Sequence, residues 1–155
     1  MINLIVAIGP NNIIGKDNEL PWHYKEDLKY FKETTMNQTV LMGKKTFESI
    51  VSRNGKLLPN RKMVVATFDK TFHYDGVEVV NDLVKYLENI KEDIFIIGGS
   101  QIYKLSLPYV DRLYITHINK EYEGNVFFPS IEWDKFKKVS QRDSGELSFC
   151  VYERK

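Results

Sequence analysis

Ile94-Phe95-Ile96-Ile97-Gly98-Gly99-Ser100 is an unbroken apolar run that stops at two glycines and a hydroxyl. A strand with one wet face alternates apolar and polar residues. A continuous apolar strand is covered on both faces, as strands of parallel sheets are. A helical stretch follows to residue 107 and is halted by Pro108, which lacks the N–H a helix interior needs.

The same pattern recurs on either side. Residues 39–42 form a buried strand, followed by Gly43-Lys44-Lys45-Thr46 and a helical stretch through Ile50. Residues 2–8, 63–67, 77–80 and 113–118 also read as strands, and residues 82–90 as a helix with Leu83, Leu87 and Ile90 on one face. Residues 13–20 carry Gly15, Asp17 and Asn18 without a clean period and read as a long loop, a feature that in compact domains is usually functional or disordered; Ile13, Ile14 and Leu20 argue that this one packs on something. Near Phe149 strands follow one another with no crossover helix between them. The expected fold is therefore α/β: a single domain over residues 1–155 with a central mixed, mostly parallel sheet. Helices cover both faces, and the C-terminal edge is antiparallel.

Composition narrows the function. The 155 residues are 43% hydrophobic and 28% charged with net charge +1, ordinary for a globular protein and unsuited to nucleic acid or a membrane surface. No apolar run reaches the length of a membrane span, and Met1-Ile2-Asn3 lacks the charged start of a signal peptide. The single cysteine, Cys150, lies in an apolar strand pattern and reads as a buried structural thiol. A cytoplasmic monomer is expected.

Pro21-Trp22-His23-Tyr24-Lys25-Glu26-Asp27-Leu28 opens a helix to about Thr35, with Tyr24, Leu28, Phe31 and Thr35 on one face. Glu26 and Glu33 each have Lys29 within helical reach, whereas Asp27 has only His23, Tyr24, Tyr30 and Phe31. A carboxylate among rings is costly unless something meets it. An acid there also suits the helix dipole, so the helix alone does not decide between a structural and a catalytic role.

The glycine-led turns at Gly43 and Gly98 sit where open α/β sheets bind ligands, outside the carboxyl ends of strands. Two such turns suggest a ligand with two phosphate regions, such as a dinucleotide, and Lys44 and Lys45 add positive charge beside the first. The phosphate loop of kinases is excluded, because Gln38 stands where its first glycine belongs. The three-glycine dinucleotide fingerprint is absent as well. His23, His73 and His117 are dispersed, so no metal site is expected. A phosphate-rich cofactor, a packed loop and one lone acid fit a nicotinamide-dependent reductase, in which the protein need only hold the substrate and help deliver a proton.

The ordered pieces Ile14-Gly15, Leu20-Pro21-Trp22, Asp27-Leu28, Phe31-Lys32, Met42-Gly43, Thr46, Glu48-Ser49-Ile50, Leu58-Pro59, Arg61, Ile97-Gly98-Gly99, Ile102-Tyr103, Tyr114, Thr116-His117 and Phe128-Pro129 resemble dihydrofolate reductases of the bacterial kind over nearly the whole chain. The resemblance implies NADPH-dependent reduction of 7,8-dihydrofolate to 5,6,7,8-tetrahydrofolate in support of one-carbon metabolism and thymidylate and purine synthesis. It also implies binding of antifolate inhibitors. By resemblance, Asp27, Trp22 and Thr116 are the catalytic group. Asp27 grips the pterin ring and favours protonation of its imine nitrogen, Thr116 bonds that carboxylate, and Trp22 holds a water.

The resemblance further implies that Ile5, Ala7, Leu28, Phe31, Lys32, Ile50, Leu58, Arg61 and Ile97 bind substrate, with Arg61 forked onto the glutamate tail. Ala7, Ile14, Gly15, Asn18 and Leu20 would lie at the nicotinamide. Gly43, Lys44, Lys45, Thr46, Thr67, Gly98, Gly99, Ser100, Gln101, Ile102 and Tyr103 would follow the phosphates and adenosine. It implies a cis peptide at Gly98-Gly99 and a closing loop over residues 14–20.

Three positions depart from the pattern. Leu20 replaces a common methionine, Asn125 replaces an aspartate that latches the loop, and no base near Val79-Val80-Asn81 reads the 2′-phosphate, which leaves that task to Lys44 and Thr67. A pyrimidine reductase of riboflavin synthesis would lack the Asp27, Leu28, Phe31 and Arg61 set. A non-catalytic nucleotide-binding module would leave the lone acid beside the loop without a purpose.

Overall fold

The computed structural model describes residues 1–17 and 19–155. Ten strands and four helices follow in the order β1 (Ile2–Ile8), β2 (Ile13–Gly15), α1 (Lys25–Thr35), β3 (Thr39–Gly43), α2 (Lys44–Asn54), β4 (Lys62–Ala66), β5 (Val77–Val80), α3 (Leu83–Asn89), β6 (Ile94–Gly98), α4 (Ser100–Ser106), β7 (Arg112–Ile118), β8 (Val126–Phe127), β9 (Phe136–Ser144) and β10 (Leu147–Arg154). Eight strands form one sheet in the order β5-β4-β3-β6-β1-β7-β10-β9. Its pairs are parallel from β5 through β7 and antiparallel at β7–β10 and β10–β9.

The continuous apolar strands are buried on both faces, as their sequence requires. On β1, Leu4 and Val6 enter one apolar cluster and Ile5 the other. On β6, Ile94 and Ile96 enter the first, and Phe95 and Ile97 pack in the second. Leu83, Leu87 and Tyr103 from α3 and α4 close the first cluster, while Phe31, Phe47 and Ile50 from α1 and α2 close the second. Cys150 is buried on β10 and unpaired. No helix among the described residues is long and apolar enough to cross a membrane.

Four local expectations are corrected. Helix α2 continues past Ile50 to Asn54 and stops at Gly55, whose φ of 68° suits a residue without a Cβ. Ile13–Gly15 is a strand paired with β8 rather than plain loop. Its short apolar run was masked by the polar residues after it. The strands expected near Phe149 begin earlier, with the long edge strand β9 from Phe136, whose mostly exposed residues gave no apolar signal. Lys29 does pair with Glu33 at 3.9 Å, but Glu26 turns to β9, accepting from Arg142 Nη1 at 3.1 Å and Ser144 Oγ at 2.7 Å.

Candidate active site

Strand order places the C-terminal ends of β3, β4 and β6 side by side, and the glycine turns after β3 and β6 meet there. A Cβ on Gly43 would stand 3.0 Å from Ile102 Cγ1, and one on Gly99 would stand 3.4 Å from Thr46 Oγ1. Gly98 has φ of 128°, a value open to glycine, and its peptide to Gly99 is cis. Gly43 offers no side chain to cap α2, so the N–H groups of its first turn are left for another acceptor. A cleft of about 450 Å³ runs along these turns, lined by Gly43, Lys44, Lys45, Thr46, Thr67, Phe68, Asn81, Gly99, Ser100, Gln101 and Ile102.

The lysines supply the cleft's positive charge, but not in the way the sequence argument expected. Lys44 Nζ lies 3.1 Å from Asp69 Oδ2, so an acid of this chain already answers one of them. Asp69 was not singled out in the sequence. The signal was an acidic residue three positions beyond Ala66, the last residue of β4.

A second cleft of about 480 Å³ opens between α1 and the segment after α2, lined by Leu28, Phe31, Lys32, Leu57, Leu58, Pro59 and Arg61 among others. Leu28 is 47% exposed. An apolar side chain left outward on this wall belongs to a groove rather than the core. The Arg61 Nε donor is buried without a partner, and its surroundings lower the guanidinium's hold on its proton by desolvation. An oxyanion at the mouth would satisfy it. Ile50 packs into the cluster beneath and lines neither cleft.

Asp27 stands in the first turn of α1. Burial pushes its carboxyl up from the ordinary value, and the Thr116 hydroxyl on β7 partly opposes that rise. This cross-sheet partner was invisible at helical offsets. Tyr103 is buried with its hydroxyl donating to the Ile5 carbonyl at 2.9 Å. Desolvation, and secondarily the Asp27 charge, drive that phenol's pKa upward. Trp22 is buried with its Nε1 donor unpartnered. Asp27, Thr116, Tyr103 and the Ile5 carbonyl are thus gathered at the end of β1, where Ala7 is half-buried.

Of the loop residues, Gly15 is buried in β2 and Ile14 packs against the core. Leu20 is 44% exposed and lines neither cleft. Asn18 lies outside the described residues. The loop is tied to the β7–β8 connection by Asp17 N–H to Asn125 Oδ1 at 3.1 Å and by Asn125 Nδ2 to Asp17 Oδ1 at 3.0 Å. Sequence reasoning also missed Tyr122 and Glu146, which bond the Tyr24 hydroxyl; separation along the chain hid them.

Comparison with known proteins agrees with this architecture. A family model described as dihydrofolate reductase matches residues 1–154. The dihydrofolate reductase of Bacillus subtilis (strain 168) is 42% identical over 100% of this chain and 95% of that protein. That of Staphylococcus haemolyticus is 38% identical over 99% and 95%. Among solved structures, dihydrofolate reductase from Enterococcus faecalis complexed with NADP(H) and RAB-propyl matches with a TM-score of 0.85 at 34% identity, over 99% of this chain and 96% of that one. Fold and matches together define an α/β oxidoreductase. The chain belongs to the dihydrofolate reductase family.

Proposed function

We propose that this chain reduces 7,8-dihydrofolate to 5,6,7,8-tetrahydrofolate with NADPH, and that Asp27 governs the proton the pterin must gain. The observation that carries the reading is the half-buried Asp27 carboxyl in the first turn of α1, whose pKa desolvation pushes up while Thr116 works against the rise. Bound in the first cleft, the cofactor supplies a hydride to pterin C6, and N5 takes a proton. The residues fit such a group: glycine turns let backbone approach, the N–H groups of α2 are uncapped, and Lys44, Lys45 and Thr46 face the phosphates.

Asp27 accepts two parallel hydrogen bonds from the pterin ring nitrogen and exocyclic amine, a charge-assisted fork that fixes the ring. It thereby favours the protonated imine as hydride arrives. Thr116 orients the carboxylate. The unpartnered Trp22 Nε1 suits a water that relays the proton. The Ile5 and Ile97 carbonyls meet the pterin amine, Ala7 borders the ring, and Leu28, Phe31 and Leu58 hold the apolar midsection, with Ile50 packed beneath them. Arg61 receives the glutamate α-carboxylate, and Lys32 stands beside it. Ile14, Gly15 and Leu20 belong to the loop that would close over the nicotinamide and exclude water. The chain acts as a cytoplasmic monomer and binds antifolates in the folate cleft.

Label transfer tests this reading. NADPH deuterated on the transferable C4 position should yield tetrahydrofolate carrying deuterium at C6. Product without label, or no product, would refute it.

A further inference from the structure

We propose that Tyr122 is a positioning residue for Trp22: tied through the Tyr24 hydroxyl to Glu146, its ring fixes where the indole Nε1 points. This rests on the reductase reading above, in which that donor holds the relay water.

Trp22 is buried, and its Nε1 has no partner among the described residues. Packing alone therefore orients the indole. A Cβ on Gly9 would stand 3.2 Å from its Cζ3, so the backbone after β1 closes on one edge. The Tyr122 ring stands against it too, with centroids 5.5 Å apart and planes at 66°, the edge-to-face contact that aromatic pairs favour.

Tyr122 lies in the connection between β7 and β8, where no strand pairing holds it. Its hydroxyl does. That oxygen is 2.7 Å from the Tyr24 hydroxyl, which in turn donates to Glu146 Oε2. Tyr24 has one proton to give, so Tyr122 is the donor between the two phenols, and both protons run toward the carboxylate. Burial, and after it the Glu146 bond, push the Tyr24 phenol's pKa upward, so it keeps that proton. Hydrogen bonds in such a chain polarise and strengthen one another.

The far end is anchored as well. Glu146 sits in the turn between β9 and β10. Asn119 N–H donates to its carbonyl at 2.7 Å, and Asn119 Nδ2 donates to Ser148 Oγ at 3.0 Å. Tyr24 immediately precedes α1, and its side chain caps nothing there. Removing its hydroxyl therefore cuts the tie and leaves the helix start untouched.

The test begins by replacing the chain's other tryptophan, the exposed Trp133, with phenylalanine, so that emission reports Trp22 alone. In that parent, Tyr24→Phe and Tyr122→Phe each remove one oxygen and keep every ring. In both, ligand-free Trp22 emission should move to longer wavelength, and acrylamide should quench it more readily. Single-turnover reduction of dihydrofolate by bound NADPH should slow by about tenfold, within what roughly 1 Å of misplacement costs. NADPH affinity by calorimetry should not change. The double variant should lose nothing further, because the same tie is already cut. Glu146→Gln, whose amide oxygen still accepts, should stay near the parent. If one tyrosine variant fails to fold, the other carries the test. Unchanged emission, a rate within about twofold of the parent, additive losses in the double variant, or Glu146→Gln as slow as the tyrosine variants overturns the proposal and leaves the reductase reading intact. A parent that binds NADPH and dihydrofolate without turnover would overturn that reading and this inference with it.

Discussion

Asp27 in the first turn of α1 has Thr116 on β7 as the one group that favours its charged form, yet its burial still raises the carboxyl's pKa. The folded chain thus holds this proton more tightly than the unfolded chain does. That contribution to stability is fully present below the unfolded carboxyl pKa and is lost as pH rises through the folded value. Asp27→Asn should therefore be more resistant to denaturant than wild type at neutral pH, with the gain vanishing in acid. Urea midpoints of the two proteins across pH would show it. Equal midpoints at neutral pH would mean the charge is not strained.

Arg61 should matter for binding rather than chemistry. Arg61→Ala is expected to raise the dihydrofolate KM by about 10- to 100-fold, the scale of a lost hydrogen bond to a charged group, with kcat nearly unchanged. Arg61→Lys should recover little, because an ammonium does not fork onto a carboxylate. A pterin substrate without the glutamate should show no difference between variant and wild type.

Gly124 holds the loop's anchor. A Cβ there would lie 2.6 Å from the Gly15 carbonyl oxygen and press on Ile13 Cγ2, and backbone in a paired strand cannot yield as a side chain can. Gly124→Ala should cost about 1–3 kcal/mol and part β2 from β8. Limited proteolysis should then cut faster between residues 16 and 20. Unchanged cleavage would show that the pairing tolerates the methyl.

Tyr103→Phe removes a buried hydroxyl from the Ile5 carbonyl. Leaving that acceptor unmet should lower stability by about 1–3 kcal/mol, read by denaturant unfolding. A neutral result would mean water replaces the phenol.

The sheet was legible in the sequence because runs such as 94–97 and 39–42 have to be buried on both faces, and the glycine turns mark where they end. Asp27 was legible as a misfit on its helix. Its partner Thr116 was legible only through the family resemblance, since periodicity and spacing do not reach a strand that the fold alone brings near. Strand β9 was obscured because an edge strand faces water and carries no apolar period. The Lys44–Asp69 pair escaped for a similar reason: a turn, rather than a repeat, sets it.

The most direct measurement follows reduced-nicotinamide absorbance with NADPH and dihydrofolate across pH, for wild type and Asp27→Asn. Wild type should consume NADPH only when both ligands are present. Its rate should fall as pH rises through an inflection above the ordinary carboxyl range. Asp27→Asn should be slower at neutral pH by about 100-fold or more, lack that inflection and speed up steadily with acid. Equal rates for the two proteins at neutral pH, or no consumption by wild type with both ligands bound, would contradict the account.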